Sequence, residues 1–282
     1  VMEAPAKLNL YLHITGRRDN GYHELDSLVA FASVGDRLRV EPAAELSLEI
    51  EGLFAEELDS DEGNLVWRAA EALRATAEIS AGARMTLTKN LPIASGIGGG
   101  STDAAATVRA LVRMWGVHPA SHDLSGLALS LGADVPVCLF GQSAYLRGIG
   151  ERIEPGPALP SASLVLVNPG VAVSTPAVFN ARQRPYSQTS PVLDETDDVA
   201  DFVDQLARRG NDLWAAAMDT APVIGEVIDT LEAAEDCLLA RMSGSGATCF
   251  GLFKTRDQAD RAAGKIRSKS PAWWVKSADL IG

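Results

Sequence analysis

Residues 91–105 read LPIASGIGGGSTDAA, with Gly96, Gly98, Gly99 and Gly100 packed into five positions. Glycine admits positive φ and lets a backbone come close to a ligand. Ser101, Thr102 or Asp103 can cap a helix that starts there. The N–H groups at such a start, with the helix dipole, form a site for phosphates. A Walker A loop needs Lys-Ser/Thr after its last glycine, and here Gly100 is followed by Ser101-Thr102. A dinucleotide fingerprint counted from Gly96 requires Gly or Ala at 101, where Ser stands. The protein-kinase signatures are absent. The expected ligand is therefore a phosphate group held by some other glycine loop.

Three further places carry chemistry-bearing residues. Lys7 and Asn9 alternate with Leu8 and Leu10, which puts them on one strand face about 7 Å apart. Taken alone, they also fit a solvated face. Asp134, in LGADVPVCLFG, sits between a helix end and an apolar run read as a strand. It could cap or turn the chain, or orient and deprotonate a hydroxyl. A nearby lysine would lower its pKa and steady a transferring phosphoryl. In MSGSGATCFG, Gly244 and Gly246 flank Ser245. That spelling suits a tight turn, or a second loop over phosphates.

These residues need positioning elements. Residues 7–14 alternate with period two, as a strand does. Residues 16–24 are a turn-rich loop by their Asn-Gly pair. Short strands are expected at 37–40, 46–50 and 84–88, and an amphipathic helix at 64–77 with Val66, Ala69, Ala70 and Leu73 on one side. After the glycine loop, Ala104, Val108, Leu111, Val112 and Trp115 recur at helical spacing. Residues 123–131 form a helix stopped by Gly132. Beyond the three prolines of 154–161, taken as a domain boundary, strands are expected at 164–167 and 247–253. Helices are expected at 198–207, 222–234 and 256–267, and 181–198 reads as a polar loop.

Composition narrows the partners. Hydrophobic residues make up 46% of the 282, enough for a sizeable core. The net charge of −12 argues against extended nucleic-acid binding. Three widely spaced cysteines, Cys138, Cys237 and Cys249, suggest neither a disulfide framework nor a zinc site. No apolar run approaches the ~18–20 residues that span a bilayer, and no signal-type apolar core opens the chain. A cytoplasmic protein is the expectation, and the Val1-Met2 pair suggests a native start at Met2.

The segments PAKLNLYLHITGRRDNGYHEL, LPIASGIGGGSTDAA, LGADVPVCL, NPGVAVSTPAVF and MSGSGATCF, in this order from Pro5 to about Phe253, resemble the GHMP kinase superfamily. Its GIGGGSTDAA and GYH spellings are similar to the branch acting on a cytidine-diphosphate-linked methylerythritol. Other branches typically carry a Gly-Leu-Gly-Ser-Ser core. The resemblance implies an α+β, two-lobe GHMP kinase fold. An N-terminal ATP-binding α/β lobe (1–157) and a C-terminal ferredoxin-like lobe (158–282) would enclose the active site in the cleft between them.

The implied reaction is ATP-dependent phosphorylation of the 2-hydroxyl of 4-diphosphocytidyl-2-C-methyl-D-erythritol. Its products are the 2-phosphate and ADP, on the non-mevalonate route to isoprenoid precursors. The alternative is another GHMP kinase acting on homoserine, a sugar or a mevalonate-type acid. By the resemblance, Lys7 and Asp134 are the catalytic pair: Asp134 activates the hydroxyl and Lys7 stabilises charge. ATP would meet Pro92, Ile93, Ala94, Ser95, Gly96, Ile97, Gly98, Gly99, Gly100, Ser101 and Thr102, with Asn64 and Lys89. Asn9, Tyr22, His23, Asp134, Thr175 and Phe179 would hold the substrate, the rings of Tyr22, His23 and Phe179 around cytosine. Mg²⁺ is implied with ATP; no acidic residue matches a magnesium ligand, and Ser101 is a candidate. The implied partners are a small cytidine-diphosphate-linked molecule, no nucleic acid and no membrane, in a monomer or weak homodimer. Residues 181–198 match nothing in the family pattern.

Overall fold

The chain opens on two long strands, β1 (Met2–Arg17) and β2 (His23–Ala43), paired with each other. In this computed structural model residues 1–183 and 185–282 are described; Arg184, inside the polar stretch 181–198, lies outside the described residues. Alternation in 7–14 suggested one wet face, yet Lys7, Asn9 and Tyr11 are buried along with Leu8, Leu10 and Leu12. β2 replaces the short strand expected at 37–40. A Cβ at Gly35, inside it, would collide with the Ala4 carbonyl. That glycine marks the close approach of a neighbouring backbone within a continuous strand.

Next come β3 (Leu46–Glu51), α1 (Leu65–Thr76), β4 (Gly82–Thr88), α2 (Gly99–Trp115), α3 (Leu124–Leu131) and α4 (Val135–Phe140). The remainder is β5 (Ala144–Gly148), β6 (Arg152–Pro155), β7 (Ser163–Asn168), α5 (Thr175–Ala181), α6 (Val199–Ala207), α7 (Trp214–Thr220), α8 (Val223–Glu232), β8 (Leu239–Met242), β9 (Cys249–Phe253), α9 (Arg256–Lys269) and β10 (Trp274–Ile281). Two compact units result: residues 1–6, 35–93 and 98–141 in one, residues 7–34, 94–97 and 142–282 in the other.

In the first unit, the C-terminal half of β2 runs antiparallel to β4, and β3 runs parallel to β4. Helices α1 and α2 pack together, with α3 and α4 beside them. Val66, Ala69, Ala70 and Leu73 of α1 are buried, as their spacing predicts. Residues 135–140 are a helix, not the expected strand. A short apolar run does not distinguish the two by periodicity. The deciding signals are Pro136 in the first turn and Gly141 in the left-handed region at the end (φ 71°).

In the second unit, β10, β7, β9 and β8 lie side by side, each pair antiparallel. With α8, the last of the four described helices between β7 and β8, packed on β8 and β9, and α9 between β9 and β10, the core follows a βαββαβ order, a ferredoxin-like arrangement. β7 (SLVLVN) is buried on both faces, as a central strand must be. Ile224, Val227, Ile228 and Leu231 of α8 and Ala259, Ala262, Ala263 and Ile266 of α9 share one core. Each fully buried Val, Leu or Ile there contributes ~1.5–3 kcal/mol. Near α6, the irregular chain is tied down at two amides: Ser190 N–H donates to Asp26 Oδ2 (2.7 Å), and Leu193 N–H to the Tyr145 hydroxyl (2.7 Å).

Candidate active site

The glycine loop carries a sharp backbone bend. Ala94 (φ 48°), Gly96 (φ 76°) and Gly98 (φ 64°) all lie in the left-handed region. Gly96 has a second constraint: an added Cβ would sit 2.5 Å from Ser243 O and 2.7 Å from Gly246 O. The turn 242–246, singled out by its spelling, thus lies directly against Gly96. Thr248 N–H donates to Ser95 O (3.0 Å), Ser243 Oγ to Gly96 O (2.9 Å) and Lys7 N–H to Ile97 O (2.9 Å). Pro92, Ser95 and Ile97 are buried, Ile93 is half-buried and Ala94 is exposed.

Helix α2 starts earlier than the capping residues suggested. Its N-cap is Gly98, with no side-chain cap bond, so Ser101, Thr102 and Asp103 lie inside the helix. Thr102 N–H makes the first helical bond, to Gly98 O (2.9 Å), and its hydroxyl donates to Gly99 O (2.9 Å). The amides of Gly99, Gly100 and Ser101 precede that bond and have no intrahelical acceptor. They form the positive end of a 17-residue helix, which suits phosphate oxygens.

Lys7 and Asn9 are 4% and 5% exposed, which removes the solvated-face reading. Lys7 Nζ donates to Asn9 Oδ1 (3.0 Å), and Asn9 Nδ2 to Ser27 Oγ (2.8 Å). Asn9 N–H reaches Ser243 Oγ (3.1 Å). Ser27 and Ser243 escaped the sequence reading. Ser243 lay within a motif already noted; nothing in the sequence marks Ser27.

The structure also brings His23 and Phe179 together, ring centroids 5.3 Å apart and tilted by 44°. Burial, with Arg17 and Arg182, holds the imidazole below its usual pKa. A neutral His23 offers one donor and one acceptor to a base edge. Phe179 packs on the core of its unit, while neighbouring Tyr22 is 59% exposed. Thr175, at the start of α5, shares a 2.7 Å hydrogen bond with Ser245.

In the other unit, Asp134 is the N-cap residue of α4, with no cap bond from its side chain. Asn64 caps α1: its Oδ1 accepts from Val66 N–H (2.9 Å), and its Nδ2 donates to Asp59 O (2.9 Å). Asn64→Ala is expected to lower the unfolding free energy by ~1 kcal/mol, read from the denaturant midpoint; an unchanged midpoint would remove the cap. Lys89 is buried between Asp36 (2.5 Å) and Asp103 (2.7 Å).

Among the described residues no three His, Cys, Asp or Glu side chains group as a metal site. Mg²⁺ is commonly held by one or two carboxylates plus substrate phosphates, so a ready-made cage is not required. No helix among the described residues is long and apolar enough to cross a membrane.

Comparison with known proteins identifies the family. Residues 64–142 match the GHMP kinases N terminal domain, and residues 197–272 match GHMP kinases C terminal. A 4-diphosphocytidyl-2-C-methyl-D-erythritol kinase from Paramagnetospirillum magneticum is 50% identical over 280 residues, covering 99% of this chain and 98% of the relative. The enzyme of the same name from Rhodospirillum rubrum is 49% identical, covering 100% and 93%. A crystal structure of 4-(cytidine 5'-diphospho)-2C-methyl-D-erythritol kinase superposes with a TM-score of 0.81 at 38% identity, covering 99% and 98%. The structure of L. major mevalonate kinase has a TM-score of 0.66 at 18% identity, covers 98% and 94%, and shares the fold.

Proposed function

Because the chain belongs to the GHMP kinases, which are ATP-using small-molecule kinases, we propose that it phosphorylates the 2-hydroxyl of 4-diphosphocytidyl-2-C-methyl-D-erythritol. The products are the 2-phosphate and ADP, on the methylerythritol phosphate route to isoprenoid precursors. The observation that carries this reading is identity near 50% over almost the full length to enzymes of that name. Between the two matched segments, a division near residue 157 would leave an N-terminal nucleotide-binding part and a C-terminal part.

Residues 92–102 take the ATP phosphates through backbone amides, supported by Asn64 and Lys89. Asp134 accepts the proton of the attacking hydroxyl, and Lys7 stabilises charge on the transferring phosphoryl. A loose transition state asks more of positioning and electrostatics than of base strength. Bound Mg²⁺ supplies neutralisation of the phosphate charge, and the Ser101 hydroxyl is its candidate protein ligand. The cytosine lies against His23 and Phe179 with Tyr22 over its edge, while Asn9 and Thr175 hold polar groups. Aromatic rings stack on a planar base; an acid substrate of the homoserine or mevalonate kind would gain nothing from them. The protein works in the cytoplasm as a monomer or weak homodimer and leaves nucleic acid alone, in keeping with its net charge of −12.

A coupled ADP-release assay tests the reading with the cytidyl substrate against mevalonate, homoserine and galactose. Sites built around a substrate's polar groups reject analogues lacking them by ~10⁴-fold, so only the cytidyl compound should turn over appreciably. Comparable kcat/KM for mevalonate or homoserine would sink the assignment.

A further inference from the structure

Ser27 lies in β2 within the run LDSLVAF, and it is completely buried. A hydroxyl in a dry site is costly unless it is hydrogen-bonded. It has one proton and two lone pairs to place. The proton goes to the Tyr11 carbonyl oxygen on β1, 2.5 Å away, which can only accept. Towards the Asn9 side chain, 2.8 Å away, Ser27 Oγ is left to accept. The atom that Asn9 turns to it must therefore be Nδ2. The other end of the amide, Oδ1, then faces the Lys7 ammonium at 3.0 Å, a group that can only donate.

The main chain on either side is held as well. Asn9 N–H donates to Ser243 Oγ (3.1 Å), whose own proton goes to Gly96 O (2.9 Å). Lys7 N–H is fixed on Ile97 O (2.9 Å). All of these residues belong to one compact unit. With the strand fixed, the freedom left is the rotation of the Asn9 side chain, and Ser27 removes it. Without that hydroxyl, Nδ2 would face a buried position that offers no acceptor, and the amide would gain by turning to find one. Any such turn draws Oδ1 away from Lys7. The ammonium ends a flexible four-carbon stem, so its place depends on the acceptors around it.

Resting on the assignment of Lys7 to the transferring phosphoryl, we propose that Ser27 is a positioning residue for that step. Its hydroxyl sets the direction of the Asn9 amide, and the Asn9 oxygen sets the place of the Lys7 ammonium. Completely buried, Ser27 acts through those two side chains and not on a ligand. A charge aimed at a transition state works only from its place. A displacement of about 1 Å can cost on the order of 10²-fold.

The test is a double-mutant cycle on kcat, at saturating ATP and acceptor, over the wild type, Ser27→Ala, Lys7→Met and the pair. Alanine removes one oxygen from the site and adds nothing. Ser27→Ala should lower kcat roughly 10- to 100-fold and leave the dissociation constant of ATP unchanged. In the Lys7→Met background the same change should lower kcat by less than about twofold, because effects of residues that act as a unit do not multiply. Ser27→Thr, which restores the hydroxyl, should recover most of the loss; if its extra methyl prevents folding, the cycle decides alone. A hydroxyl that only supported the fold would cost the same factor in both backgrounds. Equal factors, or an undiminished kcat in Ser27→Ala, would overturn the proposal. The cycle is run with whichever acceptor of the ADP-release panel turns over, so an acceptor other than the cytidyl compound sinks the functional reading and leaves the cycle to decide. Full turnover in Lys7→Met would take down the catalytic assignment of Lys7 and this inference with it. Equal factors beside an impaired Lys7→Met would take down the role of Ser27 alone.

Discussion

Asp134→Asn is expected to lower kcat by ~10²–10⁴-fold, the usual contribution of a positioned acid–base group, while ATP still binds. The side chain makes no cap bond to α4, so the substitution removes a carboxylate without uncapping that helix. Lys7→Met should cost a comparable factor in kcat. It also strips Asn9 Oδ1 of the donor it has at 3.0 Å, so part of its effect will appear in the KM of the acceptor. Rapid-quench measurement of phosphoryl transfer, beside calorimetric titration of ATP, separates chemistry from binding. Near-normal turnover in Asp134→Asn would remove the assignment of the general base. A loss of ATP binding equal to the loss of turnover would instead make Asp134 part of the nucleotide site.

Gly96→Ala should both destabilise the fold and abolish tight nucleotide binding. A left-handed backbone costs a residue with a Cβ roughly 1–2 kcal/mol. The larger cost is steric, since the methyl would lie 2.5 Å from Ser243 O and 2.7 Å from Gly246 O. Both are backbone atoms, so no rotamer change relieves the overlap. The loop or the turn 242–246 must move, and either motion strains the Ser243 Oγ to Gly96 O bond of 2.9 Å. For the wild type, ATP at ~100 times its dissociation constant should add about 2.7 kcal/mol to stability. Thermal unfolding with and without ATP should show a lower midpoint for the variant and most of that increment gone. An unshifted midpoint with full ATP protection would mean that the contact at Gly96 is dispensable.

Particular elements show how far the sequence reaches. The glycine loop, the strand before it and the helix after it were all legible, because glycine clustering and helical spacing are local signals. The helices at α1, α3, α6, α8 and α9 were legible to within a few residues, and the structure adds the caps Asn64, Asp123, Asp198 and Thr255, each of which accepts a helix N–H. The ferredoxin-like lobe, expected from resemblance, is present as β10-β7-β9-β8. Errors arose where a local signal was ambiguous. Six apolar residues at 135–140 serve a strand or a helix equally well, and the strand expected at 37–40 is the C-terminal part of the much longer β2. Strand β10, with its mixed burial, offered no clean alternation.

By itself, then, the sequence determined a glycine loop between strand and helix, while the candidate pair Lys7 and Asp134 and the aromatic set around His23 came from what the family resemblance implies. Only the tertiary structure decided what holds them. Asn9 meets Ser243 across 234 positions, and Lys89 meets Asp36 across 53. Such pairs leave no periodic trace in the chain, since their spacing is set by strand pairing and loop closure and not by any local conformational preference. The burial that turns Lys89 inward and pushes up the Asp103 carboxyl is likewise a property of packed neighbours. In the sequence both are ordinary polar residues flanking a loop; their electrostatics exist only once water has been excluded.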